Sequence, residues 1–185
     1  MENNLEFIFI DETGFNQSLI PTYGYFKVGE RCTYGTYAKG KSFSVITAIT
    51  KGQILGFQIF VGGVKATTFG AFLINLIKQV PDLQFNPGNY VLFMDNASIH
   101  KAKEIMPFLA KFRVLYNAAY CPFLNPIEEF FGNVKFNFRK DHAKYGPNII
   151  ERILESIDQI DNAVLFSSYI HSLTFIRECL DRKTF

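Results

Sequence analysis

The sequence predicts an α/β fold in which a mixed sheet, an antiparallel meander plus parallel strands, is flanked by helices. Three observations carry this reading. Two apolar runs, Leu5-Glu6-Phe7-Ile8-Phe9-Ile10 and Tyr90-Val91-Leu92-Phe93-Met94, each lead into an aspartate, and their brevity and turn-rich flanks fit buried strands. Ser42 to Thr50 and Gln53 to Val61 are strand-like and joined by Lys51-Gly52, which predicts an antiparallel hairpin. Between the hairpin and the second aspartate, Phe69, Leu73, Leu76, Ile77 and Val80 recur at helical spacing, so one helix face packs on the sheet.

Composition bounds the answer. The 185 residues, 48% apolar with 21 Phe and 9 Tyr, suit a single folded domain over 1–185 with a sizeable core. Lys+Arg exceed Asp+Glu only as 19 to 17, so any nucleic-acid surface must be local. Cys32, Cys121 and Cys179 are widely spaced, with no Cys-x-x-Cys pair, which favours a reducing, intracellular setting over zinc or disulfides. Met1-Glu2-Asn3-Asn4 has no basic signal-peptide region, and no apolar run approaches the ~20 residues of a membrane helix. A soluble protein with no membrane partner is expected.

Taken in order, the first strand ends at Asp11-Glu12-Thr13-Gly14. Phe15 to Lys41, with Pro21, Gly24, Gly29, Gly35 and Gly40 among tyrosines and Lys27, Arg31, Lys39 and Lys41, reads as an irregular surface loop that could also contact phosphates and bases. The hairpin and the Thr67–Val80 helix follow. After the strand ending at Asp95, Asn96 and Ser98 can cap a helix from about Ile99 to Lys111, and Arg113-Val114-Leu115-Tyr116 is a short strand. Asp95 would then sit at the tip of a central strand, where open α/β sheets place ligands.

Asn117 to Asn125 crosses that edge of the sheet. Asn125 suits an N-cap, Pro126 the first helical position, and Glu128 the third residue of a capping box. The helix carries an apolar stripe, Ile127, Phe130, Phe131, Val134 and Phe138, with Glu128 off it. Glu128, Gly132, Lys135 and Arg139 share another face, which could hold a metal at one end and a phosphodiester backbone along the rest. The tail predicts a helix around Ile149–Ile157 and another from about Val164 to Arg182, with Phe166, Ile170, Leu173, Ile176 and Leu180 as its buried face.

Asp11, Asp95 and Glu128 thus form a candidate site. Hard divalent cations take oxygen ligands, and two metals about 3.5–4 Å apart can drive phosphodiester cleavage. Equally, acids at strand ends serve as turn residues and a Glu three residues after an N-cap as a cap.

Phe9-Ile10-Asp11-Glu12-Thr13-Gly14, Phe93-Met94-Asp95-Asn96-Ala97-Ser98-Ile99-His100 and Cys121-Pro122-Phe123-Leu124-Asn125-Pro126-Ile127-Glu128 resemble, in order, the three catalytic blocks of mariner-like cut-and-paste transposases of the DDE superfamily. The likeness runs from about Leu5 to the C-terminal helices. It implies a ribonuclease-H-like fold, a metal-dependent DNA endonuclease and strand transferase, and Asp11, Asp95 and Glu128 as the ligands of Mg²⁺ or Mn²⁺, two ions in all. It further implies DNA as partner, with Lys39, Lys41, Lys135 and Arg139 along it, Asn96 and His100 supporting the acids, and a homodimer in a synaptic complex. The compartment would be the nucleus in a eukaryote and the cytoplasm or nucleoid in a bacterium.

Departures from the family pattern are specific. Only 32 residues separate Asp95 from Glu128, slightly fewer than usual. Phe130-Phe131 stands where the family has Trp. Ten residues precede Asp11, so the expectation is that the family's N-terminal helix-turn-helix modules are absent, with end recognition lost or supplied by a separate chain. Two other readings stay open: an inactive transposase remnant that binds DNA or protein, and, more remotely, an aspartyl-phosphate phosphatase, which wants an acid where Thr13 stands.

Overall fold

A computed structural model describes residues 5–16, 19, 27–30, 40–140 and 148–181. Five strands form one sheet: β1 (Glu6–Phe15), β2 (Phe43–Ile49), β3 (Ile54–Val61), β4 (Tyr90–Met94) and β5 (Arg113–Tyr116). Their order across the sheet is β3-β2-β1-β4-β5. The β1–β2 and β2–β3 pairs are antiparallel, while β1–β4 and β4–β5 are parallel. This is the mixed sheet that the sequence predicts.

Helices cover both faces, because alternate residues of the central strands point opposite ways and both sets are apolar. On one face Ile8, Ile10, Ile46, Leu92 and Met94 meet Phe69, Phe72, Leu73 and Leu76 of α1 (Ala66–Gln79). On the other, Phe9, Phe15, Val45 and Phe93 meet Ile127, Phe130, Phe131, Val134 and Phe138 of α4 (Pro126–Lys140). Two short helices, α2 (Pro81–Phe85) and α3 (Met106–Leu109), lie between them in sequence. The helices α5 (Ile149–Asp158) and α6 (Asn162–Leu180) follow α4, supplying Ile153, Ile157 and Leu165 to the second core. Arg152 is buried with them, donating to the Phe138 carbonyl at 2.6 Å and lying 3.8 Å over the Phe138 ring.

Four sequence expectations need correction. Strand β1 does not stop at Asp11: it runs on to Phe15, because Asp11 through Phe15 keep pairing with β2 after β4 has ended. No helix spans Ile99 to Lys111. A 3₁₀ turn at Ser98–Lys101 ends at Ala102, whose ψ is 143°, and α3 starts again with Pro107 in its first turn, a residue that breaks a continuous helix. The 3₁₀ turn is preceded by Ala97 and has no side-chain cap from Asn96 or Ser98.

The last correction concerns α6. It buries Leu165, Ser168 and Ser172, not the predicted stripe: Phe166 is 53% and Leu180 77% exposed, and Ile170 and Ile176 also face outward. Leu165 joins the α4 side chains in the core, and Ser168 and Ser172 are buried with their hydroxyls donating to the Val164 and Tyr169 carbonyls of α6 itself.

Candidate active site

Strand register makes the site. Ile10 pairs with Met94 in the parallel β1–β4 ladder, so the next residues, Asp11 and Asp95, fall side by side where β4 ends. By alternation Asp11 shares the face of Phe7 and Phe9, the face covered by α4. Glu128, in the first turn of α4, comes from that layer. Asp11, Asp95 and Glu128 line one cavity of about 420 Å³ together with Asn96, Asn117, Asn125 and the Ala118–Pro122 stretch.

The crossing loop is tied to the sheet. The Asn117 backbone N–H donates to Met94 O at 2.8 Å, and the Asn117 amide donates to Cys121 O at 2.8 Å. At the loop's end the Asn125 N–H donates to Pro122 O at 2.8 Å, so the reciprocal bond of a capping box from Glu128 does not form. Instead Asn125 splits its side chain, with Oδ1 accepting from Ile127 N–H at 3.4 Å and Nδ2 reaching Asp11 Oδ2 at 3.5 Å. Glu128 is thereby left exposed toward the cavity.

Electrostatics set Asp11 apart. It is 7% exposed. Burial, followed by repulsion from Asp95, Glu12 and Glu128, pushes its carboxyl up to about 7, although the Glu12 N–H donates to it at 2.8 Å. Glu128 also lies above the usual carboxylate range, mainly through desolvation, with Lys135 pulling it down and Asp95 pushing it up. Lys135 is held below the usual lysine range by desolvation and by Arg139, against the pull of Glu128. Glu128, Lys135 and Arg139 thus lie near enough on α4 to act on one another's charge.

His100 is fully buried and stacks on Phe69 of α1, ring centroids 4.4 Å apart. Its Nδ1 is 2.7 Å from Asp95 Oδ1, and its Nε2 is 3.2 Å from Glu12 Oε2. Burial opposes the charged imidazole, but hydrogen bonding and charge from Glu12, with Asp95, outweigh it and raise His100 above its ordinary value. Asp95 Oδ1 also accepts from Ala97 N–H at 2.9 Å. Asn96 lines the cavity but accepts from Lys101 rather than touching Asp95. Lys41 is exposed at the edge of β2, away from these contacts, and Lys39 lies outside the described residues.

Sequence reasoning missed Glu12, Asn117, Asn125 as a partner of Asp11, and Tyr120. Tyr120 is fully exposed at the cavity rim and has a φ of 60°, a left-handed conformation costly for a tyrosine. Glu12 carried a usable signal, since strand alternation puts it on the face opposite Asp11.

The metal test gives a divided answer. Three oxygen donors on one cavity, whose negative charges raise the proton affinity of Asp11 and Glu128, are the chemistry that a hard divalent cation suits. As placed, however, no three acidic, His or Cys side chains among the described residues are grouped closely enough to hold one ion. In chemistry, though not in spacing, the donor set fits the ion.

The fold matches solved transposase structures. A pre-cleavage Mos1 transpososome is similar with a TM-score of 0.73 at 17% identity, over 97% of this chain and 56% of that one. The catalytic domain of Mos1 mariner transposase gives 0.69 at 17% identity, over 97% and 83%. The Mos1 catalytic domain with Raltegravir and Mg gives 0.67 at 19% identity, over 97% and 85%. The chain spans little more than half the length of the transposase in the transpososome. No curated protein sequence matches it. Asp11, Asp95 and Glu128 come to one cavity on this ribonuclease-H-like sheet, and residues 6–165 match the family described as DDE superfamily endonuclease, so the chain belongs to that family.

Proposed function

We propose that the chain, as a single domain over 1–185, is the catalytic domain of a cut-and-paste transposase, a divalent-metal-dependent DNA endonuclease and strand transferase. The observation that carries this is the register that sets Asp11 beside Asp95, with Glu128 facing the same cavity from α4. Asp11 and Asp95 would share the metal, and Glu128 would complete its oxygen set. Mg²⁺ or Mn²⁺ bound there supplies Lewis acidity, activating the attacking oxygen and stabilising the leaving one. Solved Mos1 structures with Mg and with Mn support this cofactor class.

The chain's own residues position the reaction. Asn125 orients Asp11, and His100 fixes one oxygen of Asp95. Lys135 and Arg139 extend from Glu128 along α4, where phosphates of a bound strand would lie, and Lys41 and Lys39 would be further DNA contacts. Water would attack a phosphodiester and break its P–O3′ bond, leaving a 5′-phosphate and a free 3′-hydroxyl; that hydroxyl would then attack a target phosphodiester, forming a new P–O bond as the target's own 3′-oxygen leaves. A homodimer would hold two DNA ends together, as the Mos1 paired-end complex does, with end recognition supplied by modules beyond this domain or by a separate chain. Asn96 serves through Lys101, steadying the turn after Asp95. Among the described residues no helix is long and apolar enough to cross a membrane; DNA as substrate would place the protein in a nucleus or nucleoid.

Nicking of supercoiled plasmid in Mg²⁺ or Mn²⁺, against EDTA and an Asp95→Asn protein, tests the proposal. Metal-dependent nicking lost in a folded variant supports it. A folded wild-type protein that leaves excess plasmid uncut supports the non-catalytic reading.

A further inference from the structure

We propose that Glu12 is a positioning residue for the metal site, acting through His100 on Asp95. The inference rests on the proposed function and assigns a role to a side chain on the opposite face of the sheet. Three observations support it. Glu12 leaves β1 one residue after Asp11 and therefore points to the α1 side. There His100 is buried with its ring against Phe69, in a gap that gives the imidazole little freedom to rotate. Its two ring nitrogens face two carboxylates, Glu12 Oε2 at 3.2 Å and Asp95 Oδ1 at 2.7 Å.

A single line thus joins β1 to the end of β4 through the back of the site: Glu12, His100, Asp95. Glu12 Oε2 lies 3.2 Å from Nε2 and fixes the ring plane, which turns Nδ1 to Asp95, 2.7 Å from Oδ1 and 3.4 Å from the backbone O. Asp95 Oδ1 also accepts the Ala97 N–H at 2.9 Å, so this carboxylate is held both by the backbone that follows it and by the ring that Glu12 orients. This is the usual device by which an outer partner aims a metal-binding carboxylate. It differs from simple core packing in one respect. Packing would need His100 against Phe69 but would not need an acid at position 12, where the side chain is part-exposed.

The test is Mn²⁺ binding by calorimetry to the chain without DNA, beside plasmid nicking, for wild type, Glu12→Ala, Glu12→Gln and Asp95→Asn. Gln keeps an acceptor for Nε2–H; Ala removes it. Glu12→Ala should weaken Mn²⁺ binding about 10–100-fold and slow nicking in step, while Glu12→Gln should restore most of both. Equal Mn²⁺ affinity in wild type and Glu12→Ala overturns the proposal, even if the variant melts earlier. Failure of Glu12→Gln to rescue a folded protein also overturns it, since the acceptor would not be what matters. If wild type and Asp95→Asn bind Mn²⁺ alike, the metal-site reading itself has failed and the proposal falls with it.

Discussion

Replacing Asp11 with Asn should stabilise the metal-free protein at alkaline pH while abolishing its metal binding. The unfolded chain releases the Asp11 proton near 3.8, whereas the fold retains it to about 7. The folded state therefore binds the extra proton between these values, and stability falls as pH rises through that window and levels off above it. Holding the carboxylate ionised in the fold costs about 4 kcal/mol. Asn has nearly the same shape and no titration, so its stability relative to wild type should grow by about 3 kcal/mol between pH 5 and pH 8. For a chain of this size that corresponds to roughly 6–12 °C in melting temperature. Urea denaturation in EDTA at the two pH values measures it, and comparing the difference between them cancels any constant cost of fitting the amide beside Asn125. Saturating Mn²⁺ should offset most of that difference, adding about 2.7 kcal/mol to wild type at a hundred times its dissociation constant and nothing to the variant. A stability difference that does not change with pH would refute the reasoning, because Asp11 would then carry no buried charge in the fold.

Other outcomes follow from particular residues. Lys135→Gln and Arg139→Ala should each weaken DNA binding and reduce the salt dependence, log K against log salt, by about one, measured by fluorescence anisotropy across a salt series; an unchanged slope would place the strand elsewhere. Tyr120→Gly should gain up to about 1 kcal/mol in urea denaturation by removing the positive-φ strain, while nicking falls if the ring stacks on a base at the rim. On α6, Phe166→Ser should change stability by less than about 0.5 kcal/mol. Leu165→Ala should cost about 2–5 kcal/mol, and equal effects at the two positions would restore the buried stripe that the sequence suggested.

How far the sequence could lead is clearest at these same residues. Asp11 and Asp95 were legible because each follows a short apolar run, and parallel neighbours of equal polarity bring their ends together. Glu128 was legible as an acid off the apolar stripe of its helix, although its supposed capping role dissolved once Asn125 turned toward Asp11. The Ile99–Lys111 helix failed on Pro107, a local signal present in the sequence. The α6 face failed for a tertiary reason: the side it buries, Leu165, Ser168 and Ser172, is set by how the helix docks, and no periodicity of hydrophobicity records that. The Glu12–His100 contact joins positions 88 residues apart, and it emerges only when strand pairing and the α1 layer are both in place.

The pattern of pairing around the acids argues for function over structure. Asp95 and Glu12 share His100, and Glu128 has Lys135 near it. Asp11 is the most buried of the four, yet every side-chain charge acting on it among the described residues is negative. A carboxylate retained only for stability would have a cation or several hydrogen-bond donors beside it. Asp11 has one backbone N–H at 2.8 Å and one long amide contact at 3.5 Å. Its ionised form is therefore waiting for positive charge that the described residues do not supply, and a divalent cation between Asp11 and Asp95 would supply it from the cavity side. On this argument the cost measured by Asp11→Asn at pH 8 and the metal affinity lost by the same substitution have one origin. A variant that removed one without the other would separate them and break the argument.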